Sequence, residues 1–239
     1  MVWFLVSISN NIAEVWRRIA DAACRAGRNP ADISLMAVTK TFPPESIREA
    51  YEAGIRLFGE NRVQEFAGKA GTLRDLANAE WHMIGHLQTN KAAKAAELFA
   101  GVDSVDSLRL AEKLDAVAQS LGKKLAVLIE INVGSEAAKS GAAAESEDLQ
   151  ELLQAAVKLE RLEFRGLMTV PPYTEDPQQA RPYFRKLREL RNQIATRKLP
   201  AVGMETLSMG MSHDFEVAIE EGSTCVRVGT AIFGERQKA

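Results

Sequence analysis

A chain of 239 residues is long enough for one large domain with a substantial buried core. Its 30 Lys and Arg against 32 Asp and Glu leave a formal charge of −2, too balanced to mark a nucleic-acid partner, and two cysteines cannot build a disulfide framework. No stretch offers the roughly 20 apolar residues of a membrane span, and the brief apolar start MVWFLVSI lacks the basic leader and cleavage site of a signal peptide, so a cytoplasmic protein without a membrane partner is expected.

In chain order, an amphipathic segment over 10–26 predicts a first helix. Apolar runs over 34–38, 56–58, 81–84, 102–105, 125–132, 164–169, 205–208 and 225–228 then predict eight strands, each but the last clearly followed by a helical pattern. The punctuation between them agrees. Pro43 and Pro44 before Glu45 suit a first helical turn, and Asp106 and Ser107 suit caps for LRLAEKLDAVAQSL, which Gly122 ends. Ser146 opens DLQELLQAAVKL, and Asp176 with Pro177 opens QQARPYFRKLRELRNQIA. With no linker rich in Pro, Gly or Ser, the pattern predicts an α/β fold: one domain over 1–239, a (β/α)8 TIM barrel with an extra N-terminal helix. An open doubly wound sheet is the other arrangement that the spacing permits.

In such a barrel functional groups gather where strands run out into loops. The strand ends carry Lys40, Asn61, His82 with His86, Asp106, Asn132, Met168, the run 208–212 and the run 227–230, all expected on one rim. Lys40 follows ISLMAVT at the partly apolar barrel mouth, where desolvation favours the neutral amine that attacks an aldehyde. A lone lysine there is more often a rim residue that snorkels to water. The segments LSMGMSHDFEVAIEEG and CVRVGTAIFG change that balance. Each places small residues just after a strand, so Gly210, Ser212, Gly229 and Thr230 can present amides and hydroxyls to a phosphate at the loops after strands seven and eight. Arg227, two residues before Gly229, shares its face of the strand. His82 and His86 have helical metal-pair spacing but sit at a strand end with no third ligand signalled, so no metal is expected. Ser212, His213 and Asp214 are adjacent in sequence, which does not make a triad.

Together AVTK, LFGENRVQE, WHMIGHLQTNK, AKSG, GLMTVPP, LSMGMSHDFEVAIEEG and VRVGTAIFGER, spread over 34–236, resemble the pyridoxal phosphate homeostasis protein family. The resemblance implies a barrel similar to the N-terminal domain of bacterial alanine racemase, and pyridoxal 5'-phosphate (PLP) as cofactor. It makes Lys40 the Schiff-base lysine and Arg227 the partner of the ring nitrogen, with Ser212, Gly229 and Thr230 as the phosphate cradle. Asn61 and Met209 are implied to line the ring, and Lys139 to lie near it. Many relatives carry a second lysine two positions after the first, and here that place is held by Phe42. The implied role is vitamin B6 homeostasis by buffering or delivering the cofactor, with transient contact to apo enzymes, and with no catalytic residue. A racemase is the alternative from the enzyme class. It needs a second base, usually a tyrosine on a further domain, and Tyr51, Tyr173 and Tyr183 stand in no such motif, so a monomeric binding protein is expected.

Overall fold

The apolar runs close on one another. The computed structural model describes residues 7–134 and 140–235, in which eight parallel strands pair in sequence order and the eighth returns to the first. They are β1 (Ser34–Val38), β2 (Leu57–Glu60), β3 (Glu80–Met83), β4 (Gly101–Val105), β5 (Leu125–Glu130), β6 (Leu162–Met168), β7 (Val202–Ser208) and β8 (Cys225–Val228). Helices α2 (Pro44–Glu52), α3 (Val63–Ala70), α4 (Ala92–Leu98), α5 (Leu108–Ser120), α6 (Glu147–Ala155), α7 (Arg181–Thr196) and α8 (Phe215–Glu220) follow strands one to seven. The four-residue α9 (Thr230–Phe233) follows β8. The expected barrel is therefore the observed one, and a short helix follows the eighth strand as well.

Alternation along each strand divides the molecule into two cores. In β1, Leu35 and Ala37 point outward into the apolar packing with the helices, whereas Met36 and Val38 point into the barrel. In β8, Val226 and Val228 face out and Cys225 and Arg227 face in. The extra helix α1 (Ile8–Arg25) buries Ile12, Val15, Ile19, Ala22 and Ala23 along one stripe. It is tied to α8 by Arg18–Glu216 at 2.7 Å and Arg25–Glu220 at 2.9 Å, and to α9 by Asn11 Nδ2 donating to the Ile232 carbonyl at 2.7 Å.

The predicted helix punctuation mostly holds. Ser146 Oγ accepts the Leu149 amide at 3.2 Å as an N-cap, and Asp176 accepts the Gln178 amide at 2.9 Å. Asp176, however, opens a short 3-10 turn (Pro177–Ala180) before α7 begins. Ser107 occupies the N-cap of α5, but its hydroxyl donates to Asp106 at 3.2 Å and leaves the helix amides alone. Both cysteines are free, Cys24 exposed and Cys225 buried.

Candidate functional site

At the C-terminal ends of the strands lies a cleft of about 480 Å³. Val38 and Lys40 reach it from β1, Asn61 from the end of β2 and Ile84 from that of β3. Val170 and Tyr173 enter from the loop after β6, Met211, Ser212 and His213 from the loop after β7, and Arg227, Gly229 and Thr230 from β8. Six of the seven residues expected at a cofactor site thus share one wall: Lys40, Asn61, Ser212, Arg227, Gly229 and Thr230.

Met209 does not join them. Ser208 faces the barrel interior, where its hydroxyl accepts from Arg227, so the next side chain must face outward, and Met209 is fully buried in the layer between barrel and helices. Two residues on, Met211 lines the cleft in its place. Gly210 also serves a different end from the expected one. At φ +94° and with Ala218 Cβ 2.6 Å from where its own Cβ would stand, it lets the chain turn tightly against α8.

Lys40 sits on a turn in which the Phe42 amide donates to the Thr39 carbonyl at 3.2 Å. Within it Thr41 has φ +68°, a left-handed conformation that costs a β-branched residue about 1–2 kcal/mol. Phe42 stacks on Phe233 of α9 with ring centroids 4.7 Å apart. It fastens the Lys40 turn to the neighbouring segment of the rim, after β8.

Arg227 is 3% exposed, donates from Nη1 to Ser208 Oγ and from Nη2 to the Thr169 carbonyl, each at 2.7 Å, and keeps further donors of its five for the cleft. Burial pulls its pKa below the ordinary arginine value, opposed by the carboxylates Asp103, Asp214 and Glu130. Ser212 Oγ accepts the Gly229 amide at 3.2 Å and the Ala231 amide at 3.3 Å, so hydroxyl and amides converge where an anion can be held. Asn61 Oδ1 is buried with no hydrogen-bond partner among the described residues, an acceptor that a bound donor would satisfy. Over the cleft, Tyr173 is 80% exposed with its ring 5.7 Å from that of His213, whose Nε2 lies 3.1 Å from the Glu175 carbonyl.

The remaining strand-end residues divide. His86 Nδ1 stands 3.3 Å from Asp106 Oδ2 on the rim, and near them Glu130 accepts from Ser140 at 3.3 Å. Burial first, and then the neighbouring Asp106, raises the Glu130 pKa. Met168 is a fully buried core residue. His82 is not on the rim: lying before the last residue of β3 and facing inward, it reaches a second cavity at the N-terminal end of the barrel. There its Nδ1 meets Asp103 Oδ1 at 2.7 Å. Lys139 lies outside the described residues. Among those described, no group of three or more His, Cys, Asp or Glu side chains is placed to hold a metal ion.

Sequence reasoning missed the apolar walls Val38, Ile84, Val170 and Tyr173, which read as ordinary strand and loop residues. It also missed Lys69, whose position three residues after buried Phe66 and six after buried Val63, on one apolar helical face, was the available signal.

The family described as alanine racemase, N-terminal domain, matches residues 9–237 and sets the class of this barrel. A protein of Aquifex aeolicus named pyridoxal phosphate homeostasis protein is 48% identical over 226 residues, covering 95% of this chain and 97% of that one. One of the same name from Pseudomonas aeruginosa is 46% identical over 230 residues, covering 96% of each. The structure of PipY from Synechococcus elongatus with PLP bound superposes with a TM-score of 0.78 at 38% identity, over 90% of this chain and all of that one. This chain belongs to the pyridoxal phosphate homeostasis protein family.

Proposed function

We propose that this protein captures PLP in the cleft, holds it as a Schiff base on Lys40, and acts in vitamin B6 homeostasis by buffering or delivering it. The observation that carries this reading is the convergence of an amine, an orphaned acceptor, a buried guanidinium and an anion cradle on one cleft, in Lys40, Asn61, Arg227, Ser212, Gly229 and Thr230. The PLP-bound PipY structure supports the choice of ligand.

PLP, when bound, would supply an aldehyde, and Lys40 would be the amine that condenses with it, with loss of water. Ser212 Oγ, the amides it now accepts, and Thr230 hold the phosphate. Asn61 offers its unsatisfied oxygen to a donor on or beside the ring. Arg227, fixed by Ser208 and Thr169, would face the ring nitrogen as a charged donor and disfavour its protonation, leaving a poor electron sink. Retention without amino-acid chemistry follows, and with it a non-catalytic role.

The reading places the protein in the cytoplasm as a monomer that meets apo PLP enzymes only transiently. No helix among the described residues is long and apolar enough to cross a membrane. The test is spectral. Protein mixed with PLP is expected to show an absorbance band near about 420 nm, and borohydride reduction followed by peptide mapping should place the label on Lys40. In Lys40→Ala the band is expected to disappear, and its survival at full strength would move the site to another lysine. Incubation with single-enantiomer alanine should give no optical inversion above the Lys40→Ala background; clear inversion would make the protein a racemase.

A further inference from the structure

Lys69, near the end of α3, is only 8% exposed, and its ammonium is directed at the frame of the Lys40 turn. Its Nζ donates to the Thr39 carbonyl at 2.9 Å, the same oxygen that closes the turn, and to the Phe42 carbonyl at 3.4 Å. It lies 2.8 Å from Glu60 Oε1 and 3.5 Å from Glu65 Oε1. Glu60 Oε1 also accepts the Thr39 hydroxyl at 2.5 Å, and Glu65 Oε1 accepts the Thr41 amide. The residue before Lys40, the residue after it and the one beyond are therefore each held by a member of this trio.

A buried lysine is a costly way to fill space beside an apolar helix face, where an aliphatic side chain would serve packing better. What the ammonium adds is direction. Thr41, the residue after Lys40, keeps a left-handed φ of +68° that a β-branched residue leaves when allowed, so the turn that carries Lys40 has to be held in place.

We propose that Lys69, acting with Glu60 and Glu65, is the positioning residue for Lys40: it clamps the strained Thr39–Phe42 turn so that the Lys40 amine meets the aldehyde. It touches no ligand itself. The proposal rests on the reading of Lys40 as the Schiff-base lysine, and it concerns the step in which amine nitrogen replaces aldehyde oxygen with loss of water.

The test separates capture from binding. Pyridoxine 5'-phosphate has the ring and phosphate of PLP but an alcohol in place of the aldehyde, so it reports the cradle alone. In Lys69→Met the 420 nm band should grow about tenfold more slowly than in the wild type, the scale of loss expected from misplacing a reacting group. In Glu65→Gln, which frees only the Thr41 amide, the slowing should be about threefold. Pyridoxine 5'-phosphate affinity, read by calorimetry, should stay within about twofold of wild type in both. Capture by Lys69→Met at the wild-type rate overturns the clamp, and so does a parallel loss of pyridoxine 5'-phosphate binding, because a role in general folding moves both. Should Lys69→Met fail to fold, Glu60→Gln with Lys69→Met removes both charges together and leaves no lone buried carboxylate. Lys40→Ala keeps the two readings apart: a full band there defeats the Schiff-base assignment, whereas its loss beside an unaffected Lys69→Met defeats the clamp alone.

Discussion

Both ends of this barrel are hollow, and they are hollow for different reasons. At the N-terminal end a cavity of about 340 Å³ opens where its lining includes the short side chains of Ser34, Ala126, Thr206 and Thr224 in place of longer aliphatic ones. Gly101 leaves room for an imidazole: a Cβ there would stand 2.5 Å from His82 Cε1. The buried ionisable groups of that end meet each other, His82 with Asp103 at 2.7 Å. At the C-terminal end the cleft holds an acceptor with no partner, Asn61 Oδ1, beside a turn with a left-handed threonine. Leftover hydrogen-bonding capacity and stored strain, more than polarity, distinguish the end proposed to bind the cofactor. The satisfied end reads as stability.

Arg227 is the residue through which the two ends meet, and its loss has the largest expected effect. It lines the upper cleft while feeling the charge of Asp103 below. Arg227→Met leaves Ser208 Oγ and the Thr169 carbonyl without their donor and should cost about 3 kcal/mol in urea denaturation of ligand-free protein. It should also weaken PLP retention. A variant as stable as the wild type would show that the guanidinium serves the cleft alone.

Next in size is Asp103→Asn, which probes the lower end by itself. Burial alone depresses the His82 pKa, but the attraction and hydrogen bond of Asp103, with Glu80, outweigh it and raise the pKa above 6.5. A folded-state pKa raised above the unfolded value gives stability that is full below pH 6.5 and is lost as pH rises through the folded value. The wild-type melting temperature should therefore decline above pH 6.5 on this account. Asp103→Asn should remove about 2 kcal/mol at pH 6 and flatten that decline, with PLP capture unchanged. Slowed capture in this variant would join the two ends and break the comparison.

Much of this was legible in the sequence, and the misses share one cause. The eight strands showed because their outward faces must be apolar to meet helices, which makes short hydrophobic runs with turn residues between them. β7 was read as starting at residue 205, although it begins at Val202, because Gly203 interrupts its first part, and its pairing with β6 shifts register between Phe164 and Gly166. The rim lysine, asparagine, serine and glycines were found from their place after strands. The faces were harder. His82 and Met209 were each placed within reach of the rim by position along the chain, yet which way a side chain points depends on strand phase, and a single residue reverses it. Asp103 escaped notice because a carboxylate within a strand makes sense only once its partner on the neighbouring strand is known.

The mildest change sharpens the comparison from above. Ser212→Ala removes a hydroxyl that accepts two amides, those of Gly229 and Ala231, at the part-buried lip of the cleft. Water can reach those amides in the ligand-free protein, so the stability cost should stay near 0.5 kcal/mol. A bound phosphate, in contrast, loses one hydroxyl of its cradle, and affinity for pyridoxine 5'-phosphate should fall about tenfold, equivalent to about 1.4 kcal/mol. The pattern is the reverse of that expected for Asp103→Asn, where stability moves and binding does not. Equal losses of stability and affinity in Ser212→Ala would mean that the lip is built by its own hydrogen bonds rather than left poised for an anion, and the contrast between a satisfied end and an expectant one would no longer hold.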